Sequence, residues 1–168
     1  NMRDSIIENG VLVPALVRPK SNSRYEMVSG HRRKFASQLA DKETIPCIVR
    51  NLTDDEAVII MVDSNLQREE ILPSEKAFAY KMKLEALNHQ GKRSDLTSCQ
   101  VGTKLRADAL LAEKADDSAR QIQRYIRLNN LIPSLLVQVD SGTLKLVPAA
   151  ESISYLTEKE QIYLAMVM

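Results

Sequence analysis

The sequence predicts an α+β fold in two parts: a small α+β unit over residues 1–71, then an all-α unit over residues 72–168. Three observations lead there. Strand-like runs at Val11 to Arg18, Arg24 to Val28 and Ile45 to Arg50 all fall early in the chain and alternate with helical stretches. From Leu105 onward every segment reads as helix. Aromatic residues make up only 4%, with no Trp, which suits a helix-rich protein built on Leu, Ile, Val and Ala.

Composition narrows the classes. Hydrophobic residues are 44% and charged residues 27%, enough for a packed core and unlike a disordered chain. The net charge of +1 gives no global basic signal, so any nucleic-acid site must come from local clustering. Cys47 and Cys99 lie far apart without a C-x-x-C partner. With no signal-peptide pattern and no apolar run of membrane-spanning length, a cytoplasmic protein is expected. The abrupt start at Asn1 and the apolar end, Tyr163 to Met168, are expected to mark a fragment.

Taken in order, Met2 to Asn9 reads as a short helix closed by Asn9-Gly10, with Met2, Ile6 and Ile7 on one side. Val11 to Arg18 is interrupted by Pro14, so it is expected to be an edge strand. Pro19 to Arg24 is a polar turn and Arg24 to Val28 a second strand. Gly30 turns the chain into a helix from about Arg32 to Ala40. Ile45 to Arg50 is a third strand. Thr53 and Glu56 form a capping-box pattern opening a helix towards Leu66. Leu72-Pro73-Ser74-Glu75 opens another helix, expected to end near Leu87. Residues 89–103, with Gly91 and Gly102, read as a long loop carrying His89. Helices are expected near 105–115, 118–130, 132–140, 147–156 and 157–168, with Ser118 and Thr157 as N-caps.

Three stretches bear on function. At Val28-Ser29-Gly30-His31-Arg32-Arg33, a strand turns through glycine into a helix start, where backbone N–H groups are unpaired. Two guanidiniums beside them suit a polyphosphate; a solvated helix end with surface arginines fits the same residues. Asn65 and Arg68, three apart, share a helix face suited to a phosphate or base edge, and equally to an ordinary cationic helix end. The third stretch is a helix-turn-helix at about 105–130. Arg106 to Ala115 is its first helix and Asp116-Asp117 the turn; Ser118 caps the second helix, Ala119 to Leu128. Ile122, Tyr125, Ile126 and Leu128 can face a core. Arg120, Gln121, Gln123, Arg124 and Arg127 are left outside, and such side chains reach base edges and phosphates in a major groove.

The order of these pieces resembles the ParB family of partition proteins. Ser5 to Pro14 resembles the family's S-I-x-E-x-G-L-x-x-P opening, and Gly30-His31-Arg32-Arg33 its G-E-R-R box. Asn65-Leu66-Gln67-Arg68-Glu69, with Leu72, Pro73 and Glu75, resembles its N-L-Q-R-E-x-L-x-P-x-E run. Arg127-Leu128 and Ile132-Pro133 resemble the close of its recognition helix and the L-P that follows.

This resemblance implies a ParB/sulfiredoxin-like N-terminal domain that binds CTP with Mg2+, and a helical domain that reads a palindromic, centromere-like double-stranded DNA site. By resemblance Gly30, His31, Arg32 and Arg33 would form the triphosphate box, Asn65 and Arg68 would complete it, and Gly10 and Pro14 would lie near the base. Ser118, Arg120, Gln121, Gln123, Arg124 and Arg127 are the candidate DNA contacts. A ParA-type ATPase partner, self-association as a homodimer through a further C-terminal domain, and a place on the nucleoid are also implied, with no membrane. The loop at 89–103 resembles that of plasmid and integrative-element members.

Three positions depart from the family: His31 and Ser64 stand where it has glutamate, and Val13 where it has glutamine. Two lost carboxylates remove the obvious groups for holding a metal or orienting a water. No catalytic residue or metal ligand is therefore assigned. A CTP hydrolase stimulated by DNA and a transcriptional regulator using no nucleotide remain as alternatives. Sulfiredoxin shares the N-terminal fold, with a cysteine in the equivalent turn. Here that turn holds His31, and Cys47 is expected in the core.

Overall fold

The computed structural model describes residues 1–21, 23–68, 70–94 and 117–167. The described residues divide into two compact units, Asn1–Ser64 and Asn65–Met168.

In the first unit, α1 (Met2–Asn9) ends at Gly10, whose N–H bonds the Ile6 carbonyl at φ 69°. Of the apolar residues expected on its inner side, Ile6 is buried while Met2 and Ile7 stay exposed. β1 (Ala15–Lys20) and β2 (Arg24–Ser29) pair antiparallel, and β3 (Cys47–Val49) adds to β1 in parallel. The order is β2-β1-β3, so β1 is the central strand and not the edge strand expected from its proline. Pro14 lies outside it, and Ala15 N–H opens the strand by donating to the Pro46 carbonyl at 2.9 Å. Pro19 lies in β1 beyond Val17, the last residue that pairs with β3, so it has one neighbouring strand there instead of two. Cys47 also departs from expectation. It is exposed, because β3 is a three-residue edge with no residue buried.

α2 (His31–Leu39) buries Ala36 and Ser37. α3 (Asp54–Leu66) buries Ala57 and Val62. Its capping box forms: Thr53 N–H donates to Glu56 Oε2 at 2.8 Å, and Glu56 N–H to Thr53 Oγ1 at 3.3 Å. Arg18, the one buried arginine of β1, bonds Glu26 on β2, Asp54 at 2.6 Å at the start of α3, and the Leu52 carbonyl at 3.3 Å. A buried guanidinium needs such partners, and these tie sheet to helix.

The second unit takes in the last residues of α3, Asn65 and Leu66, and then α4 (Pro73–Ser94), which runs past the end expected at Leu87 and takes in His89. No proline interrupts that stretch, and one glycine, Gly91, costs only about 1 kcal/mol. The rest of the loop expected at 89–103, and the first helix of the helix-turn-helix near 105–115, lie outside the described residues. α5 (Ala119–Leu128), α6 (Pro133–Asp140), α7 (Leu146–Glu151) and α8 (Glu158–Val167) follow, with a 3-10 turn at Ile153–Tyr155. The helix expected over 147–156 thus breaks at Ser152, whose φ of -129° is not helical.

Ala77, Tyr80, Ile122, Tyr125, Leu128, Leu131, Leu135, Val139 and Ala149 belong to one core. Two polar ties cross it. Ser74 donates from its N–H and hydroxyl to Asp140, at 2.9 and 2.6 Å. The buried Gln161 amide donates to the Asn130 and Leu156 carbonyls, both at 3.0 Å, and accepts from Ile132 N–H at 2.9 Å.

Candidate functional site

The glycine turn of the first unit has the geometry that its sequence calls for. Gly30 caps α2 at φ 110°, where residues with a side chain are strained. A Cβ there would meet the Ala15 Cβ at 2.8 Å and Cα at 3.1 Å. The helix start packs directly on the central strand for that reason. Gly30 offers no side-chain cap, and the first turn of α2 holds no acid. The N–H groups of His31, Arg32 and Arg33 precede the first intrahelical bond, which is Lys34 N–H to the Gly30 carbonyl at 3.0 Å. Among the described residues they have no hydrogen-bond partner, which leaves them open to an anion.

The residues around this turn divide by role. Arg33 Nη1 donates to the Val13 and Pro14 carbonyls, both at 2.6 Å. It fastens the segment before β1 to α2, and Pro14 is thereby brought to the turn. His31 and Arg32 stand exposed. At the end of β2, the Ser29 and Ser64 hydroxyls hydrogen-bond at 2.9 Å, bringing α3 alongside. Ser64 therefore sits at the turn. Gly10 lies at the C-terminus of α1 with open space around it. Asn65 falls in the second unit and closes the last turn of α3, its carbonyl accepting Arg68 N–H at 3.2 Å. Arg68 is exposed beyond it. Among the described residues no group of three His, Cys, Asp or Glu side chains could hold a metal ion.

In the second unit, α5 is sharply two-sided: Ile122, Tyr125 and Leu128 are buried. Ser118 caps it, accepting Gln121 N–H at 3.3 Å. Arg120 is exposed, and Gln121, Gln123, Arg124 and Arg127 are half-buried. Three residues fix this helix: Asp117, expected in the turn, and Glu151 and Tyr155, which the sequence did not single out. Asp117, just before the cap, accepts from Lys76 Nζ at 2.9 Å and Tyr80 Oη at 2.7 Å, anchoring the α5 entry to α4. Glu151, at the end of α7, takes Arg124 by Nε and Nη2, both at 2.8 Å, with Arg120 Nη2 at 3.7 Å. The Arg124 hydrogen bond, with the charges of Arg124, Arg120 and Arg127, holds the Glu151 carboxyl below its ordinary range. Tyr155 lies under Arg127, 5.6 Å from guanidinium to ring centroid. One signal for Glu151 was present: it is the only charged residue between Leu146 and Tyr155.

A three-stranded α+β unit whose glycine turn opens on a bare helix N-terminus, and a helical unit with a capped, arginine-bearing helix, define the class to which the comparisons point. The ParB N-terminal domain family matches residues 1–66. The probable chromosome-partitioning protein ParB of Pseudomonas putida is 35% identical over 136 residues, 81% of this chain and 42% of its own length. The stage 0 sporulation protein J of Bacillus subtilis is 34% identical over 145 residues, 86% of this chain and 45% of its own length. The C-terminally truncated chromosome-partitioning protein ParB of Caulobacter crescentus, in a crystal structure with the centromeric parS site, matches 99% of this chain and 78% of its own. Its TM-score is 0.61 at 26% identity. This chain belongs to the ParB family. It spans less than half the length of these two curated relatives. Among the described residues no helix is long and apolar enough to cross a membrane.

Proposed function

We propose that this chain is the nucleotide-binding and DNA-reading part of a partition protein, which recognises a palindromic, centromere-like site on a chromosome, plasmid or mobile element. The observation that carries this reading is α5. It is a capped, two-sided helix that buries Ile122, Tyr125 and Leu128 and carries Arg120, Gln121, Gln123, Arg124 and Arg127 on its remaining surface. It lies in a chain matched over 99% of its length by a ParB bound to its centromeric site. On this reading Ser118, Arg120, Gln121, Gln123 and Arg124 meet the major groove near the helix start, and Arg127 meets phosphate. The protein works as a homodimer with a ParA-type ATPase, on the nucleoid in the cytoplasm.

CTP binds at the start of α2. The open N–H groups after Gly30 suit its triphosphate, with Arg32 and His31 beside them; Asn65 and Arg68 are the further nucleotide-binding candidates that the family resemblance implies. Gly10 and Pro14 lie on the base side. Bound CTP gates the protein's hold on DNA, and Mg2+ accompanies the triphosphate. At the two positions where the family has glutamate the chain offers an imidazole and a hydroxyl, so the reading is one of nucleotide binding and assigns no hydrolytic group.

Selection of duplexes from a random pool tests the DNA reading. A recovered palindrome bound better than a scrambled duplex supports it, and a pool with no enriched sequence removes it. Phosphate release with CTP, Mg2+ and the selected duplex should not exceed a protein-free control.

A further inference from the structure

Glu151, at the end of α7, is the unexpected neighbour of the α5 surface, because a carboxylate beside a DNA-binding face repels phosphate. How it holds Arg124 gives it a use. Its Oε1 accepts from Arg124 Nε at 2.8 Å and lies 2.8 Å from Nη2 as an ion pair, so it covers the side of the guanidinium. A guanidinium carries five N–H donors in a rigid fork, and this pairing takes two. Among the described residues the three left, those of Nη1 and one of Nη2, have no partner. They include the parallel pair on the end-on edge, the pair that bonds guanine O6 and N7 together. The ion pair is not sequestered, since the side chains of Arg124 and Glu151 are 18% and 34% exposed.

We infer that Glu151 is a positioning residue for recognition: it grips Arg124 side-on, so that the free end-on edge is presented to a guanine at one fixed angle. The inference rests on the DNA reading above. It also fixes a sign. The Glu151 charge opposes phosphate at every sequence, whereas its grip on Arg124 helps only where the right base is present. Removing it therefore weakens cognate binding and leaves binding to other DNA unchanged or tighter.

The test uses the 168-residue chain, the duplex it selects from a random pool, and a scrambled duplex of the same length and composition, at one salt concentration. Glu151→Gln should lower the ratio of the two affinities about tenfold, with no loss on the scrambled duplex. In an Arg124→Ala background the same substitution should leave the ratio unchanged. Should Glu151→Gln fail to fold by thermal unfolding, Glu151→Asp replaces it, with a smaller fall in the ratio expected. Equal losses on both duplexes would reduce Glu151 to a packing contact and overturn the inference. So would an unchanged ratio, or a fall that persists without Arg124. A wild type that prefers no duplex removes the DNA reading, and this inference with it; a discriminating wild type matched by Glu151→Gln removes this inference alone.

Discussion

Ala15 occupies the space that a side chain at Gly30 would need: a Cβ there would stand 2.8 Å from the Ala15 Cβ. The contact joins the first residue of the central strand to the cap of α2, in a backbone conformation of φ 110°. Gly30→Ala should therefore cost about 2–4 kcal/mol, from left-handed strain plus a clash with backbone and side chain that cannot swing away. Urea unfolding measures it, and a loss below about 1 kcal/mol would mean that the turn relaxes freely.

The two arginines after Gly30 look equivalent in sequence and are not. Arg33 holds the Val13 and Pro14 carbonyls, while Arg32 stands exposed at the open end of α2. Arg33→Ala should destabilise the chain by about 1–2 kcal/mol, the loss of two charge-assisted bonds that are partly open to water. Arg32→Ala should change stability by less than about 0.5 kcal/mol and still weaken CTP binding at least tenfold. Calorimetry with CTP, run beside urea unfolding, separates the two. Arg32→Ala with undiminished CTP affinity would leave the triphosphate without its expected cation.

Element identity was largely legible because its signals are local. Thr53 with Glu56 announced a helix start through a capping box, and the bonds form as the spacing requires. Ser118 did the same for α5. What failed was non-local. Pro14 made β1 look like an edge, yet the strand begins one residue later and takes neighbours on both sides. Whether Cys47 is buried depends on what covers β3, which its own residues do not encode. At the sites, the residue types were readable and their partners were not. The Arg33 bonds to carbonyls 19 and 20 residues away, and the Arg124 bond to a carboxylate 27 residues away, follow only from the fold.

Gln161 is a buried amide with every bond satisfied inside the helical unit. Gln161→Leu keeps the volume and removes the acceptor, leaving Ile132 N–H and two carbonyls without this partner. The expected cost is about 2–3 kcal/mol, most of it from the orphaned groups. A neutral result in urea unfolding would mean that water replaces the amide.

Among the described residues four glutamates lie below the ordinary range near 4.5, each for a named reason. Arg18 lowers Glu26, and the Thr53 N–H and hydroxyl lower Glu56. Arg124 lowers Glu151, and the Thr157 hydroxyl and N–H lower Glu160. A carboxyl that ionises more readily folded than unfolded stabilises the fold fully above its unfolded pKa. That contribution is lost as pH falls through the lower folded value. Stability should thus hold steady from neutral pH down to about 5 and decline on the acid side of about 4.5. In Glu160→Gln, urea midpoints should be lower at neutral pH and fall less steeply in acid, so that the two profiles converge there. Parallel profiles, offset equally at every pH, would show that Glu160 contributes through packing and not through its charge.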